Sequence, residues 1–229
     1  MRSLILISLP RSLSTLTYHL LVAALDLKQP SWTSDGEILN LDRHCLFPEA
    51  AGAESRKFID QRLEPERFRV LVDFLQDATS TDGFIYKDVV QPFVTSNWLP
   101  GSGMKIIRIV RCLPDVAYAM LDKKWFYPGN AASVESDPEG ALIEGLVRAR
   151  RALDQVPATI VDFDDLTVNE AALWEAVQQL YPDAQIAWQS YLDQTFQDVL
   201  TETLRRRHTQ SYRRIEIKCE EIVARLGLC

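Results

Sequence analysis

The sequence predicts an α/β fold, a three-layer α/β/α sandwich around a central, mainly parallel sheet. Apolar runs of strand length recur at Leu4–Leu9, Gly83–Val90, Lys105–Val110 and Pro157–Phe163. The first is continuous rather than alternating, as in a strand buried on both faces. Between the runs, apolar residues return at helical spacing, so strands and helices alternate and each crossover favours parallel pairing.

With 229 residues, 47% of them hydrophobic, the chain can bury one sizeable core and is read as a single domain over 1–229. A formal net charge of −7 argues against general nucleic-acid binding. Cys45, Cys112, Cys219 and Cys229 form no C-x-x-C pair, which points away from a zinc site and from a secreted disulfide scaffold. The opening apolar run is too short for a signal peptide and is interrupted by Arg11, and no stretch approaches membrane-spanning length. The expectation is a soluble cytoplasmic protein with no membrane partner.

The first strand ends at Pro10, which cannot donate to a ladder. From Leu16 helical spacing takes over through Leu20, Leu21 and Ala24 to about Leu27. Residues 28–54 are irregular, with Pro30, Gly36, Pro48 and Gly52, and a long ordered connection of this kind tends to be functional. Residues 55–79 read as one or two helices restarted at Pro65. After the second strand, a short helix over Pro92–Trp98 and a Gly101–Gly103 turn lead into the third. Leu113–Lys124 reads as a helix, and Ser136-Asp137-Pro138-Glu139 as a capping box opening another to about Gln155. Thr167-Val168-Asn169-Glu170 is read as a second capping box, for a helix to Leu180. The segment 184–229 reads as helical, with a break near His208–Ser211.

Two strand-to-helix junctions carry the charge pattern of a site. At the first, Arg11-Ser12-Leu13-Ser14-Thr15 follows the strand at once. Unpaired N–H groups, a positive helix end, three hydroxyls and a guanidinium would there meet one anion. At the second, Arg111 ends the third strand before Pro114-Asp115. Two such arginines at the sheet's carboxyl edge suit a ligand with two anionic ends.

Pro10-Arg11-Ser12-Leu13-Ser14-Thr15-Leu16 resembles the 5′-phosphosulfate loop of the sulfotransferases that use 3′-phosphoadenosine 5′-phosphosulfate (PAPS). The run from Arg108 to Ala119 resembles that family's 3′-phosphate strand and helix, and Ile160–Leu166 is similar to its later strand. The three motifs keep the family's order and span roughly residues 3 to 180. The resemblance implies a P-loop NTPase-like fold, a sulfuryl transfer from PAPS to a hydroxyl or amine, adenosine 3′,5′-bisphosphate as product, and no metal. It also implies that Arg11, Ser12, Leu13, Ser14, Thr15, Leu16 and Arg111 bind the donor. Leu13 stands where the family usually has glycine, Pro114 lies one place later than the family's proline, and Ala119 replaces a serine that donates to the 3′-phosphate.

Sulfuryl transfer needs charge neutralisation, an aligned acceptor and a base. Arg11 supplies the first. Lys87 and Asp88 close the second strand and face the same edge; Lys87 is placed to steady the transferring group, and Asp88 is either a base or a pairing partner. His44 has the natural pKa of a base, with Glu37 and Asp42 as nearby alternatives. Arg111, at the end of an interior strand, needs an anionic partner: a phosphate, or a carboxylate such as Asp115. The resemblance implies a C-terminal basic segment over the 3′-phosphate, for which the cluster around His208, with Arg213 and Arg214, is the candidate; a solvated face with Glu202 and Glu216 as partners is the reading for most of these arginines. The acceptor is expected to be a small or extended molecule reached from the surface. Two other readings are a P-loop small-molecule kinase, although G-x-x-x-x-G-K-[ST] is missing, and a non-catalytic nucleotide-binding relative.

Overall fold

In the computed structural model, residues 1–33, 35–39, 57–126, 136–187 and 190–227 are described. Four strands form one sheet in the order β2-β1-β3-β4, and every pairing is parallel. They are β1 (Leu4–Ser8), β2 (Ile85–Asp88), β3 (Lys105–Val110) and β4 (Thr159–Asp162). All five residues of β1 are buried. Leu4 and Leu6 enter one core and Ile5 and Ile7 the other, the two-residue period of a strand dividing its side chains between two faces.

The helices fall on those two faces. Helices α2 (Pro65–Ala78), α3 (Pro92–Ser102), α4 (Leu113–Asp122), α5 (Pro138–Asp154) and, later in the chain, α9 (Gln210–Arg225) cover one side. They contribute Phe68, Val94, Met120, Leu146 and Ile215 to its core. On the other side lie α1 (Ser14–Ala24), the single turn α6 (Phe163–Leu166), α7 (Glu170–Leu180) and α8 (Gln194–Arg207), with Tyr18, Phe163, Trp174 and Phe196. Among the described residues the molecule is therefore α/β, with its sheet covered on both faces as expected. Also among the described residues, no helix is long and apolar enough to cross a membrane.

Several boundaries differ from the sequence reading, each for a local reason. Helix α5 is capped by Asp137, which accepts from the Gly140 N–H, and not by Ser136. Helix α7 is capped by Asn169, because Thr167 belongs to the end of α6. Helix α3 runs past Trp98 to Ser102, where Gly103 (φ 70°) supplies the left-handed stop. Residues 184–187 and 190–193 are not helical; α8 and α9 are separated at His208–Thr209, and Thr209 caps α9.

The strand order places the site. From β1 the chain moves outward to β2, and from β3 outward to β4, so the two connections diverge above the neighbouring ends of β1 and β3. In open parallel sheets, that divergence at the carboxyl edge leaves the crevice in which ligands bind.

Candidate active site

A cleft of about 590 Å³ opens at this point, lined by the β1–α1 loop, Lys87, Arg111 and the α8 residues Thr203 and Arg206. In the loop, Arg11 (φ 64°) and Leu13 (φ 59°) both adopt left-handed backbone. For residues with a Cβ this costs roughly 1–2 kcal/mol each. Leu13 sustains it by packing its half-buried side chain against the α1-side core. It occupies the N-cap position of α1 without a side-chain cap, and no acidic residue stands in the first turn. The first α-helical bond runs from the Thr17 N–H to the Leu13 carbonyl, at 3.0 Å. The N–H groups of Ser14, Thr15 and Leu16 consequently have no acceptor within the helix, and the positive dipole end is unneutralised.

Arg111 reaches this loop from the end of β3. Its guanidinium donates to the Arg11 carbonyl and, at 2.8 Å, to the Thr203 hydroxyl. It lies 4.1 Å from the centroid of the Phe163 ring, and its buried Nε has no hydrogen-bond partner. The side chain is 6% exposed and makes no ion pair among the described residues. Burial pushes its pKa down to about 10; Asp115 opposes the shift, while Arg11, Arg206 and Arg207 reinforce it. Asp115 is not its partner: Arg207 holds that carboxylate at 2.5 Å. Arg11 is exposed, 5.4 Å from the Trp125 ring centroid.

Opposite the loop, Lys87 is 2% exposed. Its Nζ donates to Thr15 Oγ1 at 2.9 Å and pairs with the Glu37 carboxylate at 3.1 Å. Glu37 arrives on a segment that pairs with β2. The Lys87 N–H donates to the Gly36 carbonyl at 2.7 Å, and the Ile38 N–H to the Lys87 carbonyl at 2.9 Å. Gly36 (φ 74°) is required there, since a Cβ would sit 2.2 Å from the Tyr18 ring. Burial raises the Glu37 pKa to about 7 against the pull of Lys87, with Asp88 adding to the rise and the Val89 N–H opposing it. Glu37 lines the cleft with Oε1 accepting from the Val89 N–H at 3.0 Å and Oε2 paired with Lys87.

Asp88 has another task. It accepts from the N–H groups of Val90 (3.1 Å) and Gln91 (3.2 Å) and from the Thr95 hydroxyl, closing the turn from β2 into α3. It does not line the cleft, so of the two readings of Asp88, base or pairing partner, these contacts fit the partner role, with the turn rather than with Lys87. His44 and Asp42 lie outside the described residues.

The C-terminal cations are also redistributed. Arg213 and Arg214 are exposed on α9, the former paired with Glu216 and the latter with Glu139 at 2.9 Å, and neither lines the cleft. Arg206 does, held by Glu202 at 2.8 Å and Asp122 at 3.2 Å. A sequence signal for this existed: Val199, Glu202, Thr203 and Arg206 recur at one-face helical spacing. Trp125, given no role from sequence, lines the cleft, and so does Ala119.

The electrostatic sum is simple. Lys87 is neutralised by Glu37 and Arg206 by Glu202, while Arg11 and Arg111 have no carboxylate partner among the described residues. Asp35 and Asp198 also line the cleft, so its four cations are matched in number by four carboxylates; what sets Arg11 and Arg111 apart is that neither is ion-paired among the described residues, beside an uncapped helix start. The chain matches no protein-family model and no curated protein, so its functional reading rests on the chemistry of this cleft.

Proposed function

We propose that the protein is a P-loop-like sulfotransferase that moves a sulfuryl group from PAPS to a hydroxyl or amine acceptor. The observation that carries this reading is Arg111. A guanidinium buried without a carboxylate partner is costly, and Arg111 lines the same cleft as an uncapped helix start, where an anionic ligand would offset that cost. The residues fit such a donor at both ends. Arg11 and the N–H groups of Ser14, Thr15 and Leu16 suit the phosphosulfate, with the Ser12, Ser14 and Thr15 hydroxyls and the left-handed Leu13 backbone shaping the loop. Arg111 and Arg206 suit the 3′-phosphate, near which Ala119 contributes no hydroxyl.

When bound, PAPS supplies an activated sulfuryl group whose departure leaves adenosine 3′,5′-bisphosphate. The chain's own groups do the rest. Glu37 takes the proton of the acceptor as its oxygen or nitrogen bonds to sulfur. The S–O bond to the 5′-phosphate breaks, and its electron pair stays on the phosphate oxygen. Lys87 and Arg11 stabilise the charge gathering there. Lys87 also fixes Thr15 and Glu37 in one frame.

Thermal unfolding tests the reading. Adenosine 3′,5′-bisphosphate without magnesium should raise the melting temperature; saturation at 100 times Kd adds about 2.7 kcal/mol. Stabilisation by ATP with magnesium instead would favour a kinase. The absence of transfer from labelled PAPS to a panel of phenols, alcohols and amines, despite bisphosphate binding, would favour a non-catalytic relative, the reading that Ala119 supports.

A further inference from the structure

A second hollow, of about 530 Å³, shares no residue with the cleft. It lies between α3 and α5, beside the start of α2 and the end of α9. Its floor is apolar: Phe68 is buried, and Phe93 and Leu226 are half-buried. Phe93 is held edge-on against Phe58, ring centroids 6.1 Å apart. One wall is a single face of α5, where Arg148, Arg151, Ala152 and Gln155 fall at helical spacing.

The charge at the rim is not balanced. Asp60 neutralises Arg62 at 2.7 Å. Glu144 is shared between Arg148 and Arg225, each at 2.8 Å. Arg151 is exposed and has no carboxylate partner among the described residues. An aromatic floor under an uncompensated guanidinium is complementary to one ligand chemistry, a hydrocarbon body ending in a single anionic head.

We propose that this hollow binds an amphiphilic carboxylate, its head on Arg151 and its tail over Phe68, Phe93 and Leu226. A neutral alcohol of equal chain length lacks the head, and acetate lacks the tail, so both should bind far less well. The apolar floor supplies affinity and Arg151 selects charge.

Calorimetric titration of the full chain with octanoate, below its micelle concentration, tests this. One saturable site is expected, with octanol and acetate each at least tenfold weaker. Arg151→Glu should weaken octanoate at least tenfold, and Ala152→Phe, which fills the hollow, should abolish the signal. Circular dichroism should show both variants folded. Octanol binding as well as octanoate, octanoate indifferent to Arg151→Glu, or no saturable heat at all would each overturn the proposal. In that last outcome Arg151 serves only to complement the C-terminal end of the α5 dipole. Stabilisation by adenosine 3′,5′-bisphosphate should be the same in both variants as in the wild type, so this test and that of the sulfotransferase reading fail independently.

Discussion

A carboxylate beside an ammonium ordinarily titrates low, yet Glu37 titrates near 7 because burial outweighs Lys87. If Glu37 is the base, turnover should rise with pH through about 7 and then level. Glu37→Gln should lower kcat by roughly 10²- to 10⁴-fold and remove that limb. An unchanged profile in the variant would exclude Glu37. The same shift has a stability consequence. Its folded pKa lies above the ordinary 4.5, so the contribution to stability is complete below that pH and is lost as pH rises through 7. Melting temperatures between pH 5 and pH 8 should therefore fall less steeply in Glu37→Gln. Arg111 offers the opposite pairing of stability and function. Arg111→Met removes a buried unpaired charge and keeps the volume, so the melting temperature should hold or rise. Affinity for adenosine 3′,5′-bisphosphate should fall at least tenfold, about 1.4 kcal/mol. Retained affinity would show that Arg111 serves only to tie the loop to Thr203.

Elements determine whether those residues meet. Strands β1 and β3 were legible because short runs rich in isoleucine, leucine and valine, each closed by a turn and followed by helical spacing, read as buried strands. The β1–α1 loop was legible as a strand-to-helix junction carrying hydroxyls and an arginine. Its backbone was not, since nothing in the letters Arg11 and Leu13 announces left-handed conformations that packing must sustain. Gly36 was legible only as punctuation, whereas the structure shows it carrying Glu37 to the edge of β2 past the Tyr18 ring. Gly36→Ala should destabilise the protein by about 2–4 kcal/mol, strain and overpacking together. It should also cost turnover beyond the loss of folded protein; denaturant melts and kcat per folded molecule measure the two effects separately.

At the scale of the molecule, a chain of net charge −7 holds two guanidiniums that are not ion-paired among the described residues, and topology brings them to one cleft. Loop residues 11–16 and the 199–206 face of α8 are distant in sequence and meet through Arg111. Adenosine 3′,5′-bisphosphate should therefore slow amide exchange in both segments at once. Protection limited to the loop would remove α8 from the site.

The sequence alone determined the layers and the sheet edge at which the cleft opens. Apolar periodicity dictates which faces are buried, and a strand's end dictates where its following residues point. Tertiary structure alone decided which charges are spent. Asp115 goes to Arg207, Asp88 to the turn into α3, Arg214 to Glu139, and Arg111 is left without a counter-ion among the described residues. Pairing depends on distances of a few ångströms between residues far apart in the chain, and spacing along one strand or helix carries no record of them.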